Sequence, residues 1–164
     1  EFTELVAVLI RKFNINMLVS HSFGGVATTY ALFTNQEIQI NKYLLLTTPD
    51  RFIERINDVS ESIGITEKVK NLLVDRLQEE TGLDVYGLNV SDFVQHIHVK
   101  EALIIHDRND KVIPLERSKN VHRAWSAADF KEVEGTGHFR ILRDKAVLET
   151  AIEFLNGSGS ISEE

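Results

Sequence analysis

The stretch that decides the fold is Ser20-His21-Ser22-Phe23-Gly24-Gly25. It follows the apolar run Met17-Leu18-Val19 and precedes a second apolar stretch that begins at Val26. A buried strand, a tight turn with one serine among small residues, and a helix together hold a serine hydroxyl clear of a sheet. Strand and helix nearly touch at such a turn, so small residues are expected two before and two after Ser22, where Ser20 and Gly24 stand. Alone, this pattern is weak evidence for a functional serine, because glycine-rich turns often only connect two elements.

Size and charge limit the class of protein. The chain has 164 residues, enough for one domain with a hydrophobic core. Hydrophobic residues make up 43% and charged residues 26%, which is the balance of a globular protein. The formal net charge of -7, with no cluster of Lys and Arg, argues against nucleic acid as a partner, because the phosphate backbone would repel the chain.

The sequence also bears on redox chemistry and location. There is no cysteine, which excludes disulfides and thiolate metal sites. No apolar segment has the length of a membrane span, and no signal peptide opens the sequence. We therefore expect a cytoplasmic protein.

Strand and helix patterns alternate along the chain, which predicts an α/β fold with a mostly parallel sheet flanked by helices. The predicted strands are 17–19, 42–47, 102–105 and 130–133, and the predicted helices outside the central segment are 3–13, 23–33, 115–125 and 141–155. In the first helix, an apolar face is formed by Leu5, Val6, Leu9, Ile10 and Phe13. Residues 49–99 are rich in charge and helix formers and are interpreted as a helical cap inserted into a single domain, 1–156. The Gly/Ser-rich end, 157–164, is interpreted as a flexible tail.

Two more groups of polar residues follow predicted strands. Asp110 lies a few residues after the third strand, and His138 lies in Gly135-Thr136-Gly137-His138 after the fourth. Catalytic groups of parallel sheets gather at the carboxyl ends of the strands. A serine hydroxyl needs a base to take its proton, and an imidazole base needs a carboxylate to fix its tautomer. Serine, aspartate and histidine in these places therefore predict a nucleophilic site.

Each of these residues has a plainer interpretation. Ser22 alone could be a structural turn residue, and Asp110 could cap the helix that follows Pro114. Asp107 is a second candidate, beside Asp110, for the role of the acid. The remaining candidates are expected to be structural: His21 as a packed neighbour, His96 and His98 as loop or strand-entry residues, His106 as the end of its strand, and Trp125 as core.

The three motifs and their order resemble the α/β-hydrolase superfamily, over the chain from the first helix to about Leu155. The resemblance implies Ser22 as nucleophile, Asp110 as acid, His138 as general base and the Phe23 backbone N–H as an oxyanion donor. It implies no metal or organic cofactor and a small acyl ester or thioester as substrate. Cofactor-free haloperoxidases and lyases use the same fold and triad, so the reaction type stays open.

The sequence departs from the family before Ser22. The family's sheet usually begins with about four more strands, and these carry the second oxyanion donor. This sequence resembles only the C-terminal half of the fold. The apolar strand at Met17 would then lie at an exposed edge, which is prone to pairing. We expect either a second copy of the chain or the missing N-terminal half to cover that edge. A catalytically impaired assembly module is therefore the alternative to a serine hydrolase.

Overall fold

The computed structural model describes residues 2–157. Four parallel strands lie in the order β1-β2-β3-β4, and each central strand pairs with both of its sequence neighbours. The strands are β1 (Met17–His21), β2 (Gln39–Leu46), β3 (His98–Asp107) and β4 (Ala128–Val133). The predicted α/β class with a parallel sheet is confirmed.

The helices in chain order are α1 (Phe2–Phe13), α2 (Phe23–Phe33), α3 (Phe52–Ser62), α4 (Glu67–Thr81), α5 (Val90–Phe93), α6 (Leu115–Ala124), α7 (Gly137–Arg140) and α8 (Lys145–Asn156). Short 3₁₀ turns cover Val85–Gly87 and Ile141–Arg143. Three of the helices, α3 to α5, lie between β2 and β3, in the segment predicted as a cap.

The core has two layers, one on each face of the sheet, because both faces of the central strands are apolar. One layer packs residues of α1, α2 and α6 on Tyr43, Leu45 and Ile104. The other packs the chain from Ile141 through α8 on Leu44, Leu103 and Ile105. Alternate residues of β2 thus enter opposite layers, as expected for a strand buried on both faces.

Four sequence predictions need correction. The strands are longer than their apolar runs, so β3 begins at His98, inside the segment 49–99. His106 does not end its strand, because β3 continues to Asp107. The closing helix does not run from Ile141 to Leu155: a 3₁₀ turn comes first, and α8 starts after Asp144. Gly157, placed in the tail, is the left-handed C-cap of α8, and the rest of the predicted tail, 158–164, lies outside the described residues.

The predicted apolar face of α1 is only partly buried. The helix packs on α2 and buries Ala7 and Ile10, but Leu5, Leu9 and Phe13 are exposed by 52%, 40% and 62%. Among residues 2–157, β1 pairs with no strand other than β2, and its side chains Met17 and Val19 are exposed. Exposed apolar side chains therefore lie both on α1 and at the free edge of the sheet.

An apolar groove of about 310 Å³ lies on the face of the sheet that packs against α8, opposite to the face covered by α1 and α2. It runs between β1 and α8, and Val19, Leu44, Leu148 and Ile152 are among the residues that line it. None of the three predicted catalytic residues lines this groove. Within the described part of the chain, no helix is long and apolar enough to cross a bilayer.

Candidate active site

Ser22 lies in the turn between β1 and α2 in a conformation that L-residues rarely adopt, with φ 53° and ψ −126°. Its N–H donates to the Leu46 carbonyl at 3.0 Å, and its own carbonyl accepts from Gly25 N at 2.9 Å. Backbone strain of this kind persists where the surroundings fix it, and such residues cluster at functional sites. The side chain of Ser22 is half-buried and stands at the carboxyl end of the sheet.

The structure brings Ser22, His138 and Asp110 together. His138 Nε2 lies 3.0 Å from Ser22 Oγ, and His138 Nδ1 lies 2.8 Å from Asp110 Oδ2. The three residues follow β1, β4 and β3. The arrangement is therefore a continuous hydrogen-bonded relay from a carboxylate through an imidazole to a serine hydroxyl, the geometry that activates a serine nucleophile.

The Asp110 carboxylate is fully buried and held at both oxygens. Oδ1 accepts from Val112 N at 2.7 Å and from Ile113 N at 3.0 Å, which leaves Oδ2 for His138. Burial by itself would raise the pKa of Asp110. The hydrogen bonds from His138, Ile113 and Val112 outweigh burial and hold that pKa below its usual value. Asp110 is thus ionised at neutral pH and can stabilise an imidazolium at His138.

The backbone N–H of Phe23, at the start of α2, is placed to donate to a developing negative charge. α2 begins at Phe23, so the Phe23 N–H has no carbonyl acceptor within the helix. The positive end of the helix dipole lies at the same place. The predicted oxyanion donor therefore directly follows Ser22 at the amino end of an 11-residue helix.

Solved structures of low sequence identity share this fold. A candidate non-haem bromoperoxidase from Mycobacterium tuberculosis matches with a TM-score of 0.65 at 14% identity, over 96% of this chain and 74% of that chain. A meta-cleavage product hydrolase from Pseudomonas fluorescens matches with 0.61 at 17% identity, over 92% and 69%. A serine hydrolase from a Cycloclasticus bacterium matches with 0.64 at 17% identity, over 97% and 73%. The chain has the α/β-hydrolase fold. No family model and no curated protein matches its sequence.

In this α/β-hydrolase fold, the closest approach of helix and sheet is at Gly25 and not at Gly24, where the sequence pattern placed it. A Cβ atom on Gly25 would lie 2.4 Å from Thr48 Oγ1, whereas a Cβ on Gly24 would meet nothing within 4 Å. Ser20, at the other position required to be small, is buried. Its hydroxyl accepts from Tyr43 at 3.0 Å and donates to Thr28 at 3.2 Å.

Two of the residues weighed as alternatives, His21 and Asp107, support the backbone around His138. His21 Nε2 lies 2.8 Å from the His138 carbonyl oxygen, and the two rings are 4.8 Å apart. Burial lowers the pKa of His21, so at neutral pH its imidazole is neutral and donates through Nε2. Asp107 bonds to the turn that precedes His138. Sequence reasoning weighed Asp107 only as a rival acid.

The other histidines lie apart from the relay or behind it. His106 is fully buried, contacts Ser118 Oγ at 2.7 Å and the Ile113 carbonyl at 3.0 Å, and has its pKa lowered by burial. His96 and His98 are exposed, and the described residues contain no group of three side chains suited to a metal ion. Trp125 is buried against Tyr43, as predicted.

Aromatic side chains border the relay. Phe23 is 54% exposed and packs on Phe52, with ring centroids 5.8 Å apart. Phe139 is 69% exposed and meets the His138 ring edge-on at 4.8 Å. Because Phe52 opens α3, the inserted helices contribute directly to the surroundings of Ser22.

Proposed function

We propose that this chain is a serine hydrolase that cleaves a carboxylic ester or thioester through an acyl-enzyme. The observation that carries the proposal is the relay from Asp110 through His138 to Ser22, with both hydrogen bonds at 3.0 Å or less. The fold supports the same class of reaction, but a fold alone does not fix a function.

In the proposed reaction, Ser22 Oγ attacks the acyl carbon while His138 Nε2 takes the hydroxyl proton. The Phe23 N–H donates to the oxygen that becomes negative, and His138 passes its proton to the leaving alcohol or thiol. Water then gives a proton to His138 and attacks the acyl carbon, and the acid leaves as the proton returns to Ser22. Asp110 remains ionised throughout and stabilises the imidazolium.

The exposed aromatic rings near the relay support an apolar acyl group. Phe23 directly follows the nucleophile and packs on Phe52, and aromatic walls with few polar groups are typical of small-molecule sites. We therefore propose a small, uncharged acyl ester or thioester as the substrate class.

The test is turnover of p-nitrophenyl acetate and of an acetyl thioester. Ser22→Ala is expected to abolish turnover of both, because the acyl-enzyme can no longer form. Ser126→Ala is the matched control, since Ser126 is exposed and lies outside the relay. Equal turnover by wild type and Ser22→Ala would contradict the proposal.

The alternative is an assembly module that self-associates through β1. It is favoured by the apolar surface at the free edge of the sheet, where Val19 is 53% exposed and α1 adds Leu5 and Phe13. An unpaired apolar edge is a ready template for another strand.

Light scattering together with the ester assay separates the two functions. The alternative predicts a mass above that of the monomer, no ester turnover, and a return to the monomer in Val19→Lys, because a charge on an edge strand opposes pairing. A monomeric wild-type protein with ester turnover would contradict it.

A further inference from the structure

We propose that Asp107 is a positioning residue that holds His138 in line with Ser22; the inference rests on the proposed function above. Asp107 is the last residue of β3, and its side chain is fully buried. It lies three residues before Asp110, but its carboxylate hydrogen-bonds to groups other than the imidazole. Its partners are backbone and hydroxyl groups of the turns on either side.

The carboxylate of Asp107 joins two loops. Oδ2 accepts from the Thr136 N–H, from Thr136 Oγ1 at 2.8 Å and from Gly137 N at 2.8 Å. Oδ1 accepts from Asn109 N at 2.7 Å. The first three donors belong to the turn that leads into His138, and the fourth belongs to the loop that leads into Asp110. One side chain therefore sets the spacing between the two loops that carry the acid and the base.

The turn before His138 is shaped to bind an anion. Thr136 is right-handed helical, with φ −84° and ψ −35°, and Gly137 follows with φ 62°. This succession turns consecutive N–H groups to one side and makes a concave site for negative charge. Asp107 fills that site. Burial by itself would raise the pKa of Asp107, but its hydrogen bonds outweigh burial and keep the pKa below its usual value, so the anion persists at neutral pH.

His138 is consequently held on both sides of its Cα atom. On the amino side, the Gly137 N–H donates to Asp107. On the carboxyl side, the carbonyl oxygen of His138 accepts from His21 Nε2 at 2.8 Å. The imidazole then needs only Asp110 to fix its rotation. Misplacing a catalytic group by about 1 Å can cost about 10²-fold in rate, so this backbone support has a direct consequence for turnover.

Asp107→Asn tests the role. The amide has one acceptor oxygen in place of two. It can therefore accept from the donors of Thr136 and Gly137 or from the Asn109 N–H, but not from both sets. We expect kcat for p-nitrophenyl acetate to fall by about tenfold or more while KM stays unchanged, because the substrate does not contact Asp107. Asp129→Asn is the matched control for the lost charge: Asp129 is exposed on β4, and its variant is expected to keep the wild-type kcat.

The second readout is the far-downfield proton resonance of the hydrogen bond from His138 Nδ1 to Asp110. We expect it to broaden or shift in Asp107→Asn, although both partners of the bond are unchanged, and to stay in place in Asp129→Asn. Circular dichroism checks folding. If Asp107→Asn does not fold, Thr136→Val, which removes one of the four hydrogen bonds, should show the same changes with smaller amplitude.

A folded Asp107→Asn with wild-type kcat and an unmoved resonance would overturn the inference, as would a loss of kcat with an unmoved resonance. If the wild-type protein turns over no ester, the proposed function fails. The position of the resonance then still decides whether Asp107 positions His138.

Discussion

At the scale of single residues, the turn that presents Ser22 depends on a glycine beside it. Gly25 packs against the end of β2, and a Cβ there would lie 2.4 Å from Thr48 Oγ1 and 3.1 Å from Leu45 Cδ2. Gly24 has open space around the same position. Of these two adjacent glycines in one helix, only Gly25 lies where a larger side chain would collide with its neighbours.

Gly25→Ala is expected to lower the free energy of unfolding by about 1–3 kcal/mol, the usual cost of forcing an extra methyl group into a packed site. Gly24→Ala is its matched control and is expected to leave stability unchanged or raise it, because alanine favours a helix more than glycine does. Urea denaturation measures both. Equal stabilities of the two variants would contradict the close approach at Gly25.

At the scale of elements, apolar runs predicted where the strands lie but not where they end. The pairing of β2 with β3 begins at Gln39 and His98, polar residues that an apolar pattern does not include. The sequence predicts one continuous closing helix, 141–155, with apolar positions at Val147, Leu148, Ile152 and Phe154. A 3₁₀ turn and an N-cap at Asp144 interrupt it, and the cap signal could have been found in the sequence.

The Asp144 cap gives a prediction for α8. Its side chain accepts from Val147 N at 3.1 Å, so Asp144→Ala leaves an unsatisfied donor in the first turn. We expect a loss of about 1 kcal/mol in the free energy of unfolding. Lys145→Ala is the control, since its ion pair with Glu149 is exposed and pairs of that kind contribute little. Equal losses in thermal denaturation of the two variants would argue against the cap.

At the scale of the whole molecule, the order of the residues along the chain predicted the relay. It did not predict what the Asp107 carboxylate binds. Ser22, Asp110 and His138 each follow a strand, and parallel strands end at one edge, so their meeting was predictable. Asp107 ends β3 and Asp110 lies in the loop that follows, and both side chains are buried. Their spacing alone does not separate them, and only the resemblance to the α/β-hydrolases singled out Asp110 as the acid. Only the hydrogen bonds show that Asp110 meets the imidazole while Asp107 meets the backbone before it.

These two acids also predict how stability depends on pH. The pKa values of Asp107 and Asp110 are lowered in the folded protein, while those of the unfolded chain are about 3.9. Below about pH 4 the unfolded chain binds protons that the folded one does not, so the free energy of unfolding falls as the pH falls. Their contribution is complete at neutral pH.

Denaturation midpoints between pH 7 and pH 3 measure this effect. The loss of stability on acidification is expected to be smaller in Asp110→Asn, which removes one of the two groups. It is expected to equal that of the wild type in Asp129→Asn, whose carboxyl is exposed. An Asp110→Asn profile parallel to that of the wild type would contradict the ionised, hydrogen-bonded state of Asp110.

The central claim is that Ser22 is an activated nucleophile, and covalent labelling tests it most directly. Wild-type protein treated with a fluorophosphonate is expected to gain one adduct, which peptide mass spectrometry places on Ser22. Ser126→Ala should label as the wild type does, Ser22→Ala should not label, and labelling of His138→Ala should be strongly slowed. An adduct on another residue, or equal labelling of wild type and Ser22→Ala, would contradict the account.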